Sequence, residues 1–246
     1  MSTGEEPLRP VAASPPAGPD GSRLHPVRWG PSQVAVGVLT MIGLIFVSSA
    51  LVIGIGVADL DSVSGALVLQ ALFALVLAGA ALLVASSMKG FAGAAELGFR
   101  SPSGSYLRDT VLAFFAYLGL AFLISLVLTA EQTDVTRTLG VGENAAASIA
   151  AGLLICVAAP LSEELFFRGF AFAGLRSGLS FIPAAVISGG VWGLFHLSGG
   201  TNLVVVLQLG LFGVVLAWLY ERTGSLWPPI ALHAFNNAIA FTLLTA

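Results

Sequence analysis

The stretch of sequence that decides the fold is AAASIAAGLLICVAAPLSEELFFRGFAFAGLR, residues 145–176. It is long and apolar enough to cross a bilayer core, which needs about 20 apolar residues in one helix. Yet it carries two adjacent glutamates, Glu163 and Glu164, and one arginine, Arg168. An ionisable side chain inside a membrane is costly, so each is a candidate site residue. The stretch therefore predicts a membrane helix that carries a functional site.

The rest of the 246-residue chain is also strongly apolar. Hydrophobic residues make up 57% of it and charged residues only 9%, whereas about a quarter of a soluble domain is charged. With a net charge of -3, this composition excludes a soluble enzyme and a nucleic-acid binder with a basic face. The single cysteine, Cys156, excludes a disulfide framework. We expect an integral protein of a bacterial plasma membrane, with the lipid bilayer as a partner and no nucleic acid.

Apolar segments of membrane-spanning character recur along the chain and predict an all-α, polytopic transmembrane bundle of about seven to eight helices. The seven segments are Val34–Val57, Ser64–Met88, Thr110–Ala130, Ala145–Arg176, Phe181–Leu197, Asn202–Tyr220 and Leu226–Ala246. Because the fourth segment is long and the fifth short, a break or re-entrant piece near Pro160 or Gly169 is an open alternative. The small-residue pairs Gly189/Gly193 and Gly210/Gly213 predict close helix packing.

The chain divides into a tail, two N-terminal helices and a longer C-terminal part. Residues 1–31 are rich in proline and poor in apolar residues, which predicts a disordered tail. Residues 32–95 hold the first two transmembrane helices, and residues 96–246 hold the rest. Lysine and arginine side chains concentrate in alternate loops, so the tail is expected to be cytoplasmic.

The two glutamates of the fourth segment are expected to play different parts. Glu164 and Arg168 are four residues apart, so they share a helix face and can form an ion pair. Glu163 points about 100° away, and no basic residue lies three or four positions from it. A carboxylate without a cation partner in an apolar site suits a general base or acid. We therefore expect Glu164 and Arg168 to shape the site and Glu163 to take part in chemistry.

Two histidines lie in the apolar segments that follow. His196 ends the fifth segment, in the sequence Trp192-Gly193-Leu194-Phe195-His196. His233 and Asn237 are four residues apart in the last segment and so project from one face. Two polar groups on one face can stabilise an oxyanion or ligate a metal. Asn236 lies one position earlier, and the spacing leaves open which asparagine faces the site.

In this order and helical setting, the three motifs resemble those of the CPBP family of intramembrane proteases, which includes the type II CAAX prenyl endopeptidases. The family pattern is Glu-Glu-x-x-x-Arg, then Phe-x-x-x-His, then His-x-x-x-Asn or Asp. Here the three motifs begin at Glu163, at Trp192 in place of phenylalanine, and at His233. The resemblance covers residues 96–246, because Glu96-Leu97-Gly98-Phe99-Arg100 is similar to the family's loop before the third helix.

The resemblance implies an endopeptidase that hydrolyses a peptide bond of a peptide or membrane protein within the membrane. Glu163 and His196 would activate the attacking water, His233 and Asn237 would stabilise the oxyanion, and Glu164 with Arg168 would hold the helix geometry. If zinc is present, its candidate ligands are Glu163, His196 and His233, although we favour the metal-free version. The resemblance also suggests a role in bacteriocin immunity or membrane-protein processing.

Two readings outside enzymology stay open at this stage. The same glutamates and histidines could form the path of a proton- or ion-coupled transporter, although no paired inverted repeats are visible. An inactive scaffold that binds membrane proteins in the same groove is the other alternative. The substrate, its prenylation and the oligomeric state do not follow from the residues.

Overall fold

The computed structural model describes residues 22–59, 61–129, 135–197 and 202–245, and within these ranges every regular element is helical. The long helices are α1 (Pro31–Gly54), α2 (Val63–Ser86), α3 (Tyr106–Ser125), α4 (Ala145–Arg176), α5 (Phe181–Leu194), α6 (Leu203–Thr223) and α7 (Trp227–Thr245). A 3₁₀ turn, Gly93–Ala95, follows α2, and a short helix, Val135–Thr138, precedes α4. Each of the seven predicted segments overlaps one of these helices, with ends that differ by up to a few residues, and the all-α prediction is confirmed.

The outer surface of the bundle is suited to lipid rather than water. Helices α1, α2, α3, α4 and α6 are each long and apolar enough to cross a membrane, whereas α5 is shorter. Large apolar side chains point outward, and Phe46 on α1, for example, is 72% exposed. So many exposed apolar side chains would be an aggregation hazard in water. The chain is therefore an integral membrane protein.

Helix α4 lies at the centre of the bundle and contacts α1, α2, α5, α6 and α7. Four phenylalanines in the half that follows the glutamates fill the space between these helices, and all are buried. They are Phe166, Phe167, Phe170 and Phe172. Burial of aromatic side chains contributes a large part of the packing energy of a core. The central position of α4 brings its polar residues within reach of α5 and α7.

Helix α4 does not break at Pro160 or Gly169, which corrects the alternative raised from the sequence. It runs from Ala145 to Arg176 with two π-helical segments, Leu154–Ala158 and Leu165–Phe172. In the first of these, the N–H of Ala159 donates to the carbonyl of Leu154, five residues back. Pro160 has no N–H to donate, so a wider turn before it is tolerated without ending the helix.

Helices α5 and α6 pack with their backbones close together, as the small-residue pairs predicted. A Cβ added to Gly193 would lie 2.6 Å from the carbonyl oxygen of Val206, and one added to Gly189 would lie 2.7 Å from that of Gly210. Real Cβ atoms do not approach other heavy atoms so closely, and these neighbours cannot easily move aside because they belong to the backbone. The glycines therefore let α6 approach the helix that leads to His196.

Residues 22–30, which we call the N-terminal strap, were expected to belong to the disordered tail but instead pack against the bundle. Trp29 is only 1% exposed, and its Nε1–H donates to the carbonyl of Phe170 at 2.8 Å. Buried aromatic area and a satisfied indole N–H offset the ordering entropy that the proline-rich composition suggested would prevail. Residues 1–21 lie outside the described residues.

Polar contacts hold the strap across one end of the bundle. The backbone N–H of Arg28 donates to Glu96 at 3.1 Å, and the backbone N–H of Arg23 donates to the carbonyl of Glu221 at 2.8 Å. His25 lies between these two arginines in the sequence, and burial together with the nearby Arg100 charge lowers its pKa. The strap thus ties the α2–α3 loop and the end of α6 to the start of α1.

Candidate active site

Three charged side chains of α4 are withdrawn from the surface in the middle of the bundle. Glu164 and Arg168 are fully buried, and Glu163 is 7% exposed. The Nη1 atom of Arg168 donates to Oε1 of Glu164 at 2.8 Å, which confirms the predicted pair. The guanidinium of Arg168 also lies over the Trp192 ring, 4.8 Å from its centroid. A charge withdrawn from water is costly unless it is paired, and the cation–π contact with Trp192 adds to the compensation.

Glu163 points away from Arg168 and toward α5 and α7. The indole Nε1–H of Trp192 donates to Oε2 of Glu163 at 2.5 Å. The same oxygen lies 3.9 Å from Nε2 of His233. The expectation that Glu163 has no cation partner within α4 agrees with this geometry, since both neighbours come from other helices. Of the two adjacent glutamates, Glu163 is therefore the one whose carboxylate faces the junction of α4, α5 and α7.

His233 lies between the two carboxylates. Its Nδ1 is 2.9 Å from Oε1 of Glu164, and its ring packs edge-on against Trp192 and Phe212, with centroid separations of 5.2 and 5.8 Å. Because an ionised carboxylate can only accept, Nδ1 of His233 carries the hydrogen. This assigns the proton of the neutral ring to Nδ1 and directs the lone pair of Nε2 toward Glu163.

His196 lies in the turn just after α5, which ends at Leu194, whereas we expected the helix to extend to Leu197. Its ring is half-buried and stands 5.0 Å from the Trp192 ring. Its Nδ1–H donates to the carbonyl of Trp192 at 3.0 Å, since a carbonyl can only accept. In the neutral ring Nε2 is then the atom able to take a proton. Trp192 thus contacts His196, His233 and Glu163 at once.

Asn237 contacts α4 and not the carboxylates. Its Nδ2–H donates to the carbonyl of Ile155 at 3.0 Å. That carbonyl lies in the first π-helical segment, where the N–H of Ala159 has gone to Leu154 and Pro160 has none. Asn237 therefore supplies the donor that the proline removes. Its second Nδ2–H and its Oδ1 are left for other partners, and the oxyanion role of Asn237 stays a prediction.

The candidate zinc ligands do not converge in the part of the chain that the structure describes. No group of three histidine, cysteine, aspartate or glutamate side chains there is arranged to hold a metal. Nδ1 of His233 is engaged by Glu164, whereas Nδ1 of His196 is directed to the Trp192 carbonyl. As arranged, Glu163, His196 and His233 do not fit a three-ligand zinc site.

The structure brings together Glu163, Glu164, Arg168 and His233, and it links His196 to them through Trp192. The sequence interpretation noted Trp192 only as an aromatic departure from the family pattern and missed its role as a donor. A signal was available, because a tryptophan buried in a membrane helix must place its indole N–H on an acceptor. Phe212 on α6, which packs on His233, gave no such signal because many phenylalanines lie in apolar helices.

Comparison with known proteins supports the resemblance for this part of the chain. Residues 145–239 match the family model described as type II CAAX prenyl endopeptidase Rce1-like. The chain is also 33% identical over 81 residues to a Bacillus subtilis (strain 168) protein described as "Putative membrane peptidase YdiL". That alignment covers 33% of this chain and 32% of the relative, so the match spans about a third of the relative's length. No solved structure matches.

The matched segment contains all three motifs, from α4 through most of α7. The CPBP resemblance is therefore confirmed there. The match does not reach Glu96–Arg100, so the boundary of the core at residue 96 stays a prediction.

Proposed function

We propose that this chain is an intramembrane endopeptidase in which Glu163 is the general base. The observation that carries this proposal is the position of Glu163, buried among membrane helices with Oε2 held by Trp192 and 3.9 Å from His233. A carboxylate that forms no hydrogen bond with the arginine of its own helix is suited to take and return a proton. The match of residues 145–239 to a protease family supports the reaction class.

In the proposed reaction, Glu163 accepts a proton from a water molecule as the water oxygen attacks the carbonyl carbon of a substrate peptide bond. The carbonyl oxygen becomes an oxyanion in the tetrahedral intermediate. When the C–N bond breaks, Glu163 returns the proton to the departing amine nitrogen. His196 helps to activate the water through Nε2. This nitrogen is unprotonated in the neutral ring, because Nδ1 carries the hydrogen that is donated to the Trp192 carbonyl.

His233 and Asn237 are proposed to stabilise the oxyanion. Because Nδ1 of His233 already donates to Glu164, its Nε2 donates to the oxyanion when the ring carries a proton on that nitrogen as well. Arg168 in turn neutralises Glu164 and keeps the pair on α4 rigid. For Asn237, the second Nδ2–H is the available donor, since the first is bound to Ile155.

We propose the metal-free version of this mechanism. It is supported by the donor arrangement described above, in which Glu163 is bound by an indole N–H and His233 by a carboxylate. A strong chelator added to the purified protein separates the two versions. Unchanged cleavage is expected, whereas loss of cleavage that added Zn²⁺ restores would contradict the metal-free proposal.

The substrate is proposed to be a peptide segment of a membrane protein, because the site lies within a lipid-facing bundle. We further propose an N-terminus in the cytoplasm of a bacterial cell, on the basis of Lys89 and Arg100 in the loop after α2 and of Arg108 in the first turn of α3. Processing of membrane proteins, including in bacteriocin immunity, is the corresponding physiological proposal.

The central experiment is cleavage of a reporter peptide by the purified chain in lipid vesicles. Glu163→Gln is expected to reduce cleavage by roughly 10²–10⁴-fold, the usual contribution of a positioned general base, and His196→Ala is expected to reduce it as well. Glu143→Gln is the matched control, because Glu143 is exposed in the loop before α4. Full cleavage by Glu163→Gln would contradict the mechanism.

A further inference from the structure

Trp192 is the residue that contacts the most groups of the candidate site. It is 1% exposed, and its ring stands edge-on to the rings of His196 and His233 at centroid separations of 5.0 and 5.2 Å. The guanidinium of Arg168 lies over its face at 4.8 Å. With neighbours on its face and its edges, the indole is held in one orientation.

That orientation directs its one polar atom at the proposed general base. The Nε1–H donates to Oε2 of Glu163 at 2.5 Å, and hydrogen bonds to an ionised acceptor are among the stronger ones in proteins. Oε1 of Glu163 forms no hydrogen bond with a described residue, and the side chain keeps 9% of its surface exposed. One carboxylate oxygen is thus anchored while the other stays free to receive a proton.

The backbone of the same residue orients a histidine. The Trp192 carbonyl accepts from Nδ1 of His196, which leaves the lone pair of the neutral ring on Nε2. Trp192 therefore sets the position of Glu163 through its side chain and the tautomer of His196 through its carbonyl. Only the first of these depends on the side-chain type, which makes it open to substitution.

A phenylalanine at this position, as in the family pattern, would keep the aromatic packing but would have no N–H. Glu163 would then lose its only hydrogen-bond donor among the described residues, and a buried carboxylate without a donor is costly. Nε2 of His233 lies 3.9 Å from the carboxylate, which is beyond hydrogen-bond distance. The indole thus supplies a contact that this chain has and the pattern does not require.

We propose that Trp192 is a positioning residue that holds Glu163 through its indole N–H in the orientation needed for proton transfer. The inference rests on the proposed function, because it assigns Trp192 a part in that reaction. It predicts that removal of the N–H, with the aromatic ring retained, lowers turnover and leaves substrate binding nearly intact.

The hydrogen bond itself can be tested without any substrate. In protein labelled with ¹⁵N in the indole nitrogens, the Trp192 resonance is assigned by removing the other three tryptophans one at a time, as phenylalanine variants of Trp29, Trp218 and Trp227. We expect Glu163→Gln to shift the Trp192 N–H signal upfield, since a neutral amide is a weaker acceptor than a carboxylate. Glu143→Gln should leave it in place. An unmoved signal in Glu163→Gln would overturn the inference.

The catalytic consequence is tested by comparing Trp192→Phe with Trp218→Phe in the reporter assay. Trp218 lies on α6 and packs near Arg222, away from the two carboxylates. Trp192→Phe should lower kcat by roughly tenfold to a hundredfold, as expected for loss of a hydrogen bond to a charged group, with KM nearly unchanged. Trp218→Phe should match the wild type.

The possible failures are distinguishable. A wild-type chain that cleaves no substrate would overturn the proposed function and this inference with it. Wild-type cleavage together with equal kcat in Trp192→Phe would overturn the inference alone. A loss confined to KM would also overturn it, because it would assign Trp192 to substrate binding. If Trp192→Phe does not fold, the response of the indole resonance to Glu163→Gln decides the matter.

Discussion

Removal of one member of the Glu164–Arg168 pair should be far more costly than removal of both. Both side chains are fully buried, and they share one hydrogen bond of 2.8 Å. Arg168→Met leaves the carboxylate of Glu164 buried with only His233 as a donor. Breaking a buried pair from one side typically costs about 3–5 kcal/mol. The remaining bond to His233 places Arg168→Met near the lower end, at about 3 kcal/mol of unfolding free energy.

Glu164→Gln should cost at least as much. It leaves the buried guanidinium of Arg168 with a weaker, neutral acceptor, and among the described residues its Nε and Nη2 atoms already have no hydrogen-bond partner. The ring of Trp192 remains as the main compensation for the charge. The double variant Glu164→Gln/Arg168→Met contains neither charge, so we expect it to lose only about 1–2 kcal/mol, because a buried pair and its neutral replacement are often of similar stability.

The measurement is reversible unfolding of the four proteins in mixed micelles with increasing sodium dodecyl sulfate, followed by circular dichroism. The two single effects sum to about 6 kcal/mol or more. They should therefore exceed the double effect of about 1–2 kcal/mol by about 4 kcal/mol, a coupling above the usual range for neighbouring residues, because both partners are buried. Additive effects to within about 0.5 kcal/mol, or an Arg168→Met variant as stable as the wild type, would show that the two side chains do not form a coupled pair. Neither result depends on whether the protein cleaves peptides.

Three further predictions concern the supports of the site. Gly193→Ala should destabilise the bundle by about 1–3 kcal/mol through overpacking against α6. Gly190→Ala should not, because a Cβ added at Gly190 has no described atom within 4 Å. Equal unfolding midpoints for the two variants would contradict this prediction. Asn237→Ala should lower the free energy of unfolding by about 1–3 kcal/mol, because the Ile155 carbonyl of the π-helical turn loses its donor. A second change, Pro160→Ala, should recover part of that loss by restoring a backbone N–H. No recovery would contradict this role of Asn237. Burial and a nearby charge lower the pKa of His25, so the folded strap favours the neutral imidazole. Protection of the strap amides from hydrogen exchange should therefore fall as the pH drops below about 6.5. The variant His25→Gln should abolish that dependence.

Local spacing was enough to predict those parts of the site that lie within one helix. The Glu164–Arg168 pair follows from the four-residue spacing alone, because side chains at that separation meet on any α-helix. The glycines of α5 and α6 were likewise readable, since small residues at such intervals have few other uses in lipid. The helix positions followed from the length of apolar sequence needed to cross a bilayer.

Contacts between helices were not readable in the same way. Nothing in the spacing indicates that Trp192 would reach Glu163, 29 positions away along the chain. Asn237 shares a face with His233 as predicted, yet its amide serves a carbonyl of α4, because the π-helical turn and Pro160 together leave that carbonyl without a donor. The strap was misjudged because composition averaged over 31 residues conceals a single tryptophan that can be buried.

An all-helical membrane protein follows from the sequence alone, and so does the set of few polar residues that lie inside its membrane helices. The physical reason is that lipid excludes unpaired polar groups so strongly that length, apolarity and the rare charges are sufficient to identify both. The three-dimensional arrangement was needed to show that Trp192 holds Glu163 and that His233 stands between the two carboxylates. Those contacts depend on how α4, α5 and α7 are rotated against one another, and rotation is determined by packing across the whole bundle rather than by any one segment.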